Sequence, residues 1–227
     1  MNAELIRERI DSAMSKAGRT DKVDFVAVSK TRTVEEMHEA ESITWVDFFG
    51  ENRVQEGESK RKVYGESRVP WRLIGHLQAN KARKAIEIFD TIDSVDSIDL
   101  ARRLDRIAGE LGRVVPVLIE VNTSGEASKS GVDPENFTEL LDVIAGLGSL
   151  RLEGAMTVGP ITDDEGKIRR AFAELRGLAD GARTRTGLEL PVLSMGMSGD
   201  FELAILEGST MIRVGTLLFG PRDYTHH

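Results

Sequence analysis

The chain has 227 residues, of which 40% are hydrophobic and 30% charged, with a net charge of -8 and no cysteine. That length supports a real core, in one large α/β domain or two small ones. The missing cysteine excludes disulfides, thiolate metal sites and cysteine nucleophiles, and an acidic chain without a basic cluster argues against nucleic acid and anionic membrane surfaces as partners.

In chain order, Ile6, Ile10, Ala13 and Ala17 repeat at helical spacing, so residues 2–18 read as a helix stopped by Gly18. Val23 to Lys30 reads as a short strand, buried on both faces, that ends in a lysine. Thr33 reads as an N-cap with Glu36 three residues on, for a helix reaching Ser42. Trp45 to Phe49 is the second strand, closed by Gly50-Glu51-Asn52, and a polar helix follows to Tyr64. Pro70 to Ile74 is the third strand, residues 78–88 are helical, and Thr91 to Val95 is a fourth strand. An amphipathic helix spans 97–111, and Val114 to Val121 is the strongest strand pattern in the chain. Residues 122–131 form a long loop of small residues, expected to be mobile. Phe137 to Leu147 is helical, Leu152 to Thr157 a sixth strand, and Ile168 to Ala182 a long helix. Pro191 to Ser194, Phe201 to Glu207 and Met211 to Val214 read as strand, short helix and strand.

Eight strands, each followed by a helix except the last, predict an α/β fold with a parallel sheet. Eight units predict a closed (β/α)8 TIM-type barrel with an N-terminal helix, a single domain over residues 1–227. An open doubly wound sheet is the alternative. The four histidines, His38, His76, His226 and His227, have no metal-ligand spacing, so no metal is expected. His226-His227 fits a native end as well as a tag remnant. Met1 to Ile10 lacks an apolar signal core, and no apolar run approaches the roughly 20 residues that span a bilayer, so a soluble cytoplasmic protein is expected.

In such barrels the active site lies at the carboxyl ends of the strands. Here those ends carry Lys30, Gly50-Glu51-Asn52, Gly75-His76, Asn122-Thr123, Gly159-Pro160, Ser194 to Asp200 and Gly215-Thr216. Each turn alone is ordinary; together they converge on one rim. A lysine there either snorkels to solvent or does chemistry in a cleft. Ser198 reads as the N-cap of the short helix at 201, and a helix start there, with Gly215-Thr216 after the eighth strand, also fits an anion. Alternation puts Arg213 inside the barrel, against either a core salt bridge or a ligand atom. A rim lysine can form a Schiff base with a carbonyl, and a phosphate cradle beside it suggests pyridoxal 5′-phosphate (PLP).

The segments Ala27-Val28-Ser29-Lys30-Thr31, Phe49-Gly50-Glu51-Asn52-Arg53-Val54-Gln55-Glu56 and Trp71 to Lys81 occur in order with Val121-Asn122, Gly125-Glu126, Lys129 and Gly131. Leu193 to Ser198, Ile212 to Thr216 and Phe219-Gly220 complete the set. The whole is similar, nearly end to end, to the pyridoxal phosphate homeostasis protein family, also called alanine racemase N-terminal-domain-like proteins. The resemblance implies a fold-type III barrel with PLP held as a Schiff base on Lys30. It implies Ser198, Gly215 and Thr216 around the phosphate, Arg213 by the ring nitrogen, and Asn52 and Met195 lining the pocket. Lys129 would be a weaker, secondary cofactor contact, and His76 receives no role.

The resemblance further implies a carrier and buffer of PLP acting in vitamin B6 homeostasis and amino-acid balance, with no established catalytic residue and no turnover of its own. PLP is the implied partner, and PLP-dependent apoenzymes stay open as recipients. The alternative is an amino-acid racemase of the same fold type. Two-base racemisation needs a second acid/base opposite the lysine, and the chain has only Tyr64 and Tyr224 for the tyrosine that racemases use. A lysine-imine aldolase without PLP is the third reading. The absence of an obvious apolar patch leads to a monomer as the expectation.

Overall fold

The structure is a computed structural model and describes residues 2–126 and 128–221. The first half runs α1 (Ala3–Lys16), β1 (Asp24–Val28), α2 (Val34–Glu41), β2 (Phe48–Glu51), α3 (Val54–Tyr64), β3 (Trp71–Leu73), α4 (Ala82–Ile88) and β4 (Thr91–Val95). The second half runs α5 (Ile98–Glu110), β5 (Val115–Glu120), α6 (Phe137–Ala145), β6 (Leu150–Met156), α7 (Glu165–Thr186), β7 (Val192–Met197), α8 (Phe201–Leu206), β8 (Met211–Val214) and α9 (Thr216–Phe219).

The eight strands form a closed parallel barrel in sequence order. Closure is made by β1 on β8, with Val26 opposite Arg213 and Ala27 opposite Val214. Strand residues alternate between two environments. Phe25, Ala27, Ile212 and Val214 join the apolar layer under the helices. Val26, Met156 and Met211 are equally buried but fill the lumen, outside that layer. The N-terminal helix packs on α8, where Arg9 lies 4.8 Å over the Phe201 ring and its guanidinium meets Glu202 at 2.6 Å. No helix of the described residues is long and apolar enough to cross a membrane.

The alternation predicts the order of elements, and the differences are local. The Thr33–Glu36 capping box is formed in both directions. The second strand begins three residues later than expected: Val46 N–H returns to the Ile43 carbonyl in a turn, and the Trp45 ring packs edge-on against Phe25 at 4.7 Å instead of entering the ladder. The helix expected over 78–88 begins as a tight single turn at Ala79–Lys81 before α4. A four-residue helix, α9, follows the last strand, where none was expected. Ser198 does not cap the helix at 201. Asp200 occupies that position, and its Oδ1 accepts the Met197 N–H at 2.6 Å.

The 122–131 loop is internally bonded. Asn122 Nδ2 donates to the Glu126 carbonyl at 2.9 Å, and Val132 N–H donates to the Glu120 carbonyl at 2.8 Å. Tyr224, His226 and His227 lie outside the described residues.

Candidate functional site

At the carboxyl end of the barrel a cavity of about 260 Å³ lies across the β1–β8 seam. Its walls include Lys30, Asn52, Ser198, Arg213, Gly215 and Thr216, six of the seven residues expected there. Val28, Arg32, Ile74, Val158, Met197 and Gly199 complete it. Parity could have found two of these: Val28 is two residues before Lys30, and Ile74 two after the inward Arg72.

Met195 is not brought to the cavity. It is fully buried in the apolar layer under the helices, and Met197 takes the place expected for it. Met195 faces outward by alternation from the lumen-facing Ser194, and a bulge then turns Met197 inward. Ser194 lies opposite Met211 and Met197 opposite Arg213, so β7 advances three residues while β8 advances two. The extra residue reverses facing from there on. Gly196 takes it up at φ +95°, where a Cβ would stand 2.6 Å from the Ala204 Cβ.

Lys30 lies two residues past the end of β1, in a turn closed by Arg32 N–H to the Ser29 carbonyl at 2.9 Å. The next residue, Thr31, has φ +63°. For a β-branched residue that conformation is strained, costing about 1–3 kcal/mol, and it persists only where the surroundings enforce it. Thr31 N–H donates to Glu56 Oε1 at 2.5 Å.

Arg213 projects into the lumen and is 3% exposed. The core salt bridge offered as one alternative is not formed: its Nη1 donates to the carbonyl and the Oγ of Ser194, both at 2.7 Å, and its Nη2 to the Thr157 carbonyl at 2.7 Å. Burial presses its guanidinium below the usual value, while the carboxylates of Asp93, Glu120 and Asp200 oppose that. It remains a cation with five donors, of which these bonds use three. A cation paired to neutral acceptors and facing a cavity suits a ligand acceptor atom.

Ser198 Oγ accepts the N–H groups of Gly215 at 3.3 Å and Leu217 at 3.4 Å, joining the loops after β7 and β8. A Cβ at Gly215 would make a tight contact, 3.2 Å from the Val28 carbonyl oxygen. Across the cavity, Asn52 Oδ1 is buried without a partner among the described residues. Such an orphaned polar atom costs about 1–3 kcal/mol, unless something entering the cavity meets it. Backbone N–H groups, a serine and a threonine hydroxyl, an inward guanidinium and a lysine together fit a small phosphorylated aldehyde.

Behind the rim, sequence reasoning missed two polar groups. Lys60 Nζ donates to the Ser29 carbonyl, Glu51 Oε1 and Glu56 Oε1, each at 2.7 Å. In the lumen, Arg72 Nε donates to Asp93 Oδ2 at 2.8 Å. Glu120, 6% exposed, has its carboxyl raised to about 7, first by burial and then by the neighbouring Asp96. For the lumen group the signal was available, since Arg72, Asp93 and Glu120 are charged residues inside largely apolar strands.

Lys129 lies away from the cavity, with Nζ on the Gly159 carbonyl and on Glu126 Oε1, both at 2.8 Å. Tyr64 is turned to the helix layer. Its OH donates to Glu41 at 2.8 Å and its ring stacks on His38 at 4.1 Å. Burial, helped by Glu41, raises its phenol above the usual range. Among the described residues no group of histidines and carboxylates could hold a metal ion.

Fold and site thus define a (β/α)8 barrel with a lysine and an inward guanidinium on one rim cavity. The family model described as alanine racemase, N-terminal domain, matches residues 1–223, and the chain belongs to that family. It is 39% identical over 220 residues to the pyridoxal phosphate homeostasis protein of Aquifex aeolicus, covering 96% of each chain. It is 40% identical over 231 residues to the protein of that name from Vibrio cholerae, covering 100% of this chain and 97% of that one. Among solved structures, PipY of Synechococcus elongatus with PLP bound superposes with a TM-score of 0.82 at 40% identity, over 94% of this chain and 99% of that one.

Proposed function

We propose that this chain is a single-domain PLP-binding protein that holds the cofactor covalently on Lys30 and serves PLP homeostasis without catalytic turnover. The observation that carries the reading is the convergence of Lys30, Arg213 and the Ser198–Gly215–Thr216 cradle on one cavity. Full-length similarity to PLP homeostasis proteins, and to a PLP-bound relative, supports the choice of ligand. When bound, the cofactor would supply an aldehyde, and Lys30 is the amine that would hold it covalently. Ser198, the Gly215 backbone and Thr216 would hold its phosphate. Arg213 would donate to the ring nitrogen and so keep it unprotonated, which weakens the ring as an electron sink. Asn52 would contribute from the opposite wall.

Absence of turnover is supported by Tyr64, which faces the helix layer and not the cavity. The racemase reading requires an acid/base facing Lys30. We further propose a cytoplasmic monomer, with PLP-dependent apoenzymes as candidate recipients. Borohydride reduction of the PLP-loaded protein, followed by peptide mapping, tests the assignment: the expected result is a pyridoxyl group on Lys30 alone. A protein that takes up no PLP overturns the reading and moves the lysine-imine aldolase forward. Turnover of an amino acid enantiomer by the loaded protein would establish the racemase instead.

A further inference from the structure

The proposed reaction leaves one group of buried charges without a task. Lys60 on α3 is 9% exposed and Glu51 at the end of β2 is fully buried. Lys60 Nζ reaches the Ser29 carbonyl, Glu51 Oε1 and Glu56 Oε1, each at 2.7 Å. Ser29 Oγ also donates to Glu51 Oε1 at 2.7 Å, and Glu56 Oε1 also accepts the Thr31 N–H. Ser29 and Thr31 are the residues on either side of Lys30. One ammonium and its two carboxylates therefore hold the peptide groups before and after that lysine, in the segment where Thr31 is forced to φ +63°.

A plain structural pair does not need this arrangement. Replacing a buried ion pair by apolar side chains is often neutral or stabilising, so the pair alone gives weak grounds for a stability role. Its three acceptors are instead spent on one turn. A strained residue next to a functional side chain is held only where its surroundings over-determine it.

We infer that Lys60, acting with Glu51 and Glu56, is a positioning residue: it clamps the backbone on both sides of Lys30 and sets the point from which that side chain enters the cavity. The inference rests on the proposed role of Lys30 as the covalent attachment point. Lys60 touches neither the cavity nor what fills it; its effect passes through the turn.

The test uses the full chain, with 4-deoxypyridoxine 5′-phosphate, which lacks the aldehyde, as the probe of the cradle. The variants are Lys60→Met, Lys60→Arg and Glu56→Ala. Should Lys60→Met, which strands the buried Glu51, fail to fold, the half-exposed Glu56→Ala carries the test. Expected for Glu56→Ala and Lys60→Met is an affinity for the probe within about twofold of wild type, with covalent loading of Lys30 by PLP slowed about tenfold or more. Amide exchange at Thr31 in cofactor-free Glu56→Ala should accelerate by about tenfold, following loss of its acceptor. Lys60→Arg should restore part of the loading, since it keeps a cation and several donors.

Loading within about twofold of wild type overturns the inference, whatever the exchange shows. So does a parallel fall in probe affinity, which would mean a general loosening of the barrel. If wild-type Lys30 never becomes modified, the proposed function fails, and Thr31 exchange alone then decides whether the clamp exists.

Discussion

The Gly215 N–H donates to Ser198 Oγ at 3.3 Å, and this bond joins the loops that follow the seventh and eighth strands. Together with the bond from Leu217 it sets the spacing of the cradle, but both bonds are long. Ser198→Ala should therefore leave stability within about 1 kcal/mol of wild type. It should weaken binding of 4-deoxypyridoxine 5′-phosphate by about tenfold, since a phosphate bound there loses a donor. Calorimetric titration measures this; an unchanged Kd would remove Ser198 from the cradle.

Lys30→Ala should abolish borohydride-trapped PLP while keeping reversible binding through the phosphate. Mass spectrometry after reduction reads the first, and equilibrium dialysis the second. A trapped adduct surviving the change would sink the assignment of Lys30.

Arg213→Met should cost about 3 kcal/mol or more, because it leaves two buried carbonyls and the neighbouring carboxylates without their cation. Denaturant unfolding followed by tryptophan fluorescence gives the number. A loss below about 1 kcal/mol would mean that the lumen rearranges around the missing guanidinium.

Glu120 gives the barrel a pH dependence whose sign is fixed. Its carboxyl rises from an ordinary 4.5 to about 7 on folding, so the folded chain binds more protons than the unfolded one between those values. The contribution of this group is fully present below the lower value and is lost as pH rises through the upper, amounting to about 3 kcal/mol. Glu120→Gln should remove that slope and be the more stable protein at pH near 8. Stability curves of the two proteins that stay parallel from pH 5 to about 8 would contradict this.

The barrel was legible because alternation and capping are local. The Thr33–Glu36 box and the helix under Ile98, Leu104 and Ala108 follow from spacing alone. Arg213 was legible by parity, lying between two apolar residues that face the helices. Met195 was taken from the resemblance alone, whereas alternation from the inward Ser194 turns it to the helices, and Met197 went unread. Parity counts residues, and a bulge at Gly196 adds one that the residue types do not announce. Ser198 was assigned to the helix next to it in sequence, whereas its acceptor is used by a backbone 17 residues on. The Lys60 group was invisible because its three acceptors come from the turn after β1, from β2 and from α3, and only the folded barrel brings them to one nitrogen.

The seam where β1 meets β8 is where the barrel's first strand waits for its last. No other ladder of the sheet joins segments so distant along the chain, and closing such a gap is the slow, entropically costly part of assembling a barrel. The cavity lies across that seam, with Lys30 on one bank and Arg213, Gly215 and Thr216 on the other. A molecule lodged there and tied to both banks acts as a staple over the zip line. It should slow the opening of the ring more than it alters any single helix, so that occupancy registers as lifetime of the closed barrel.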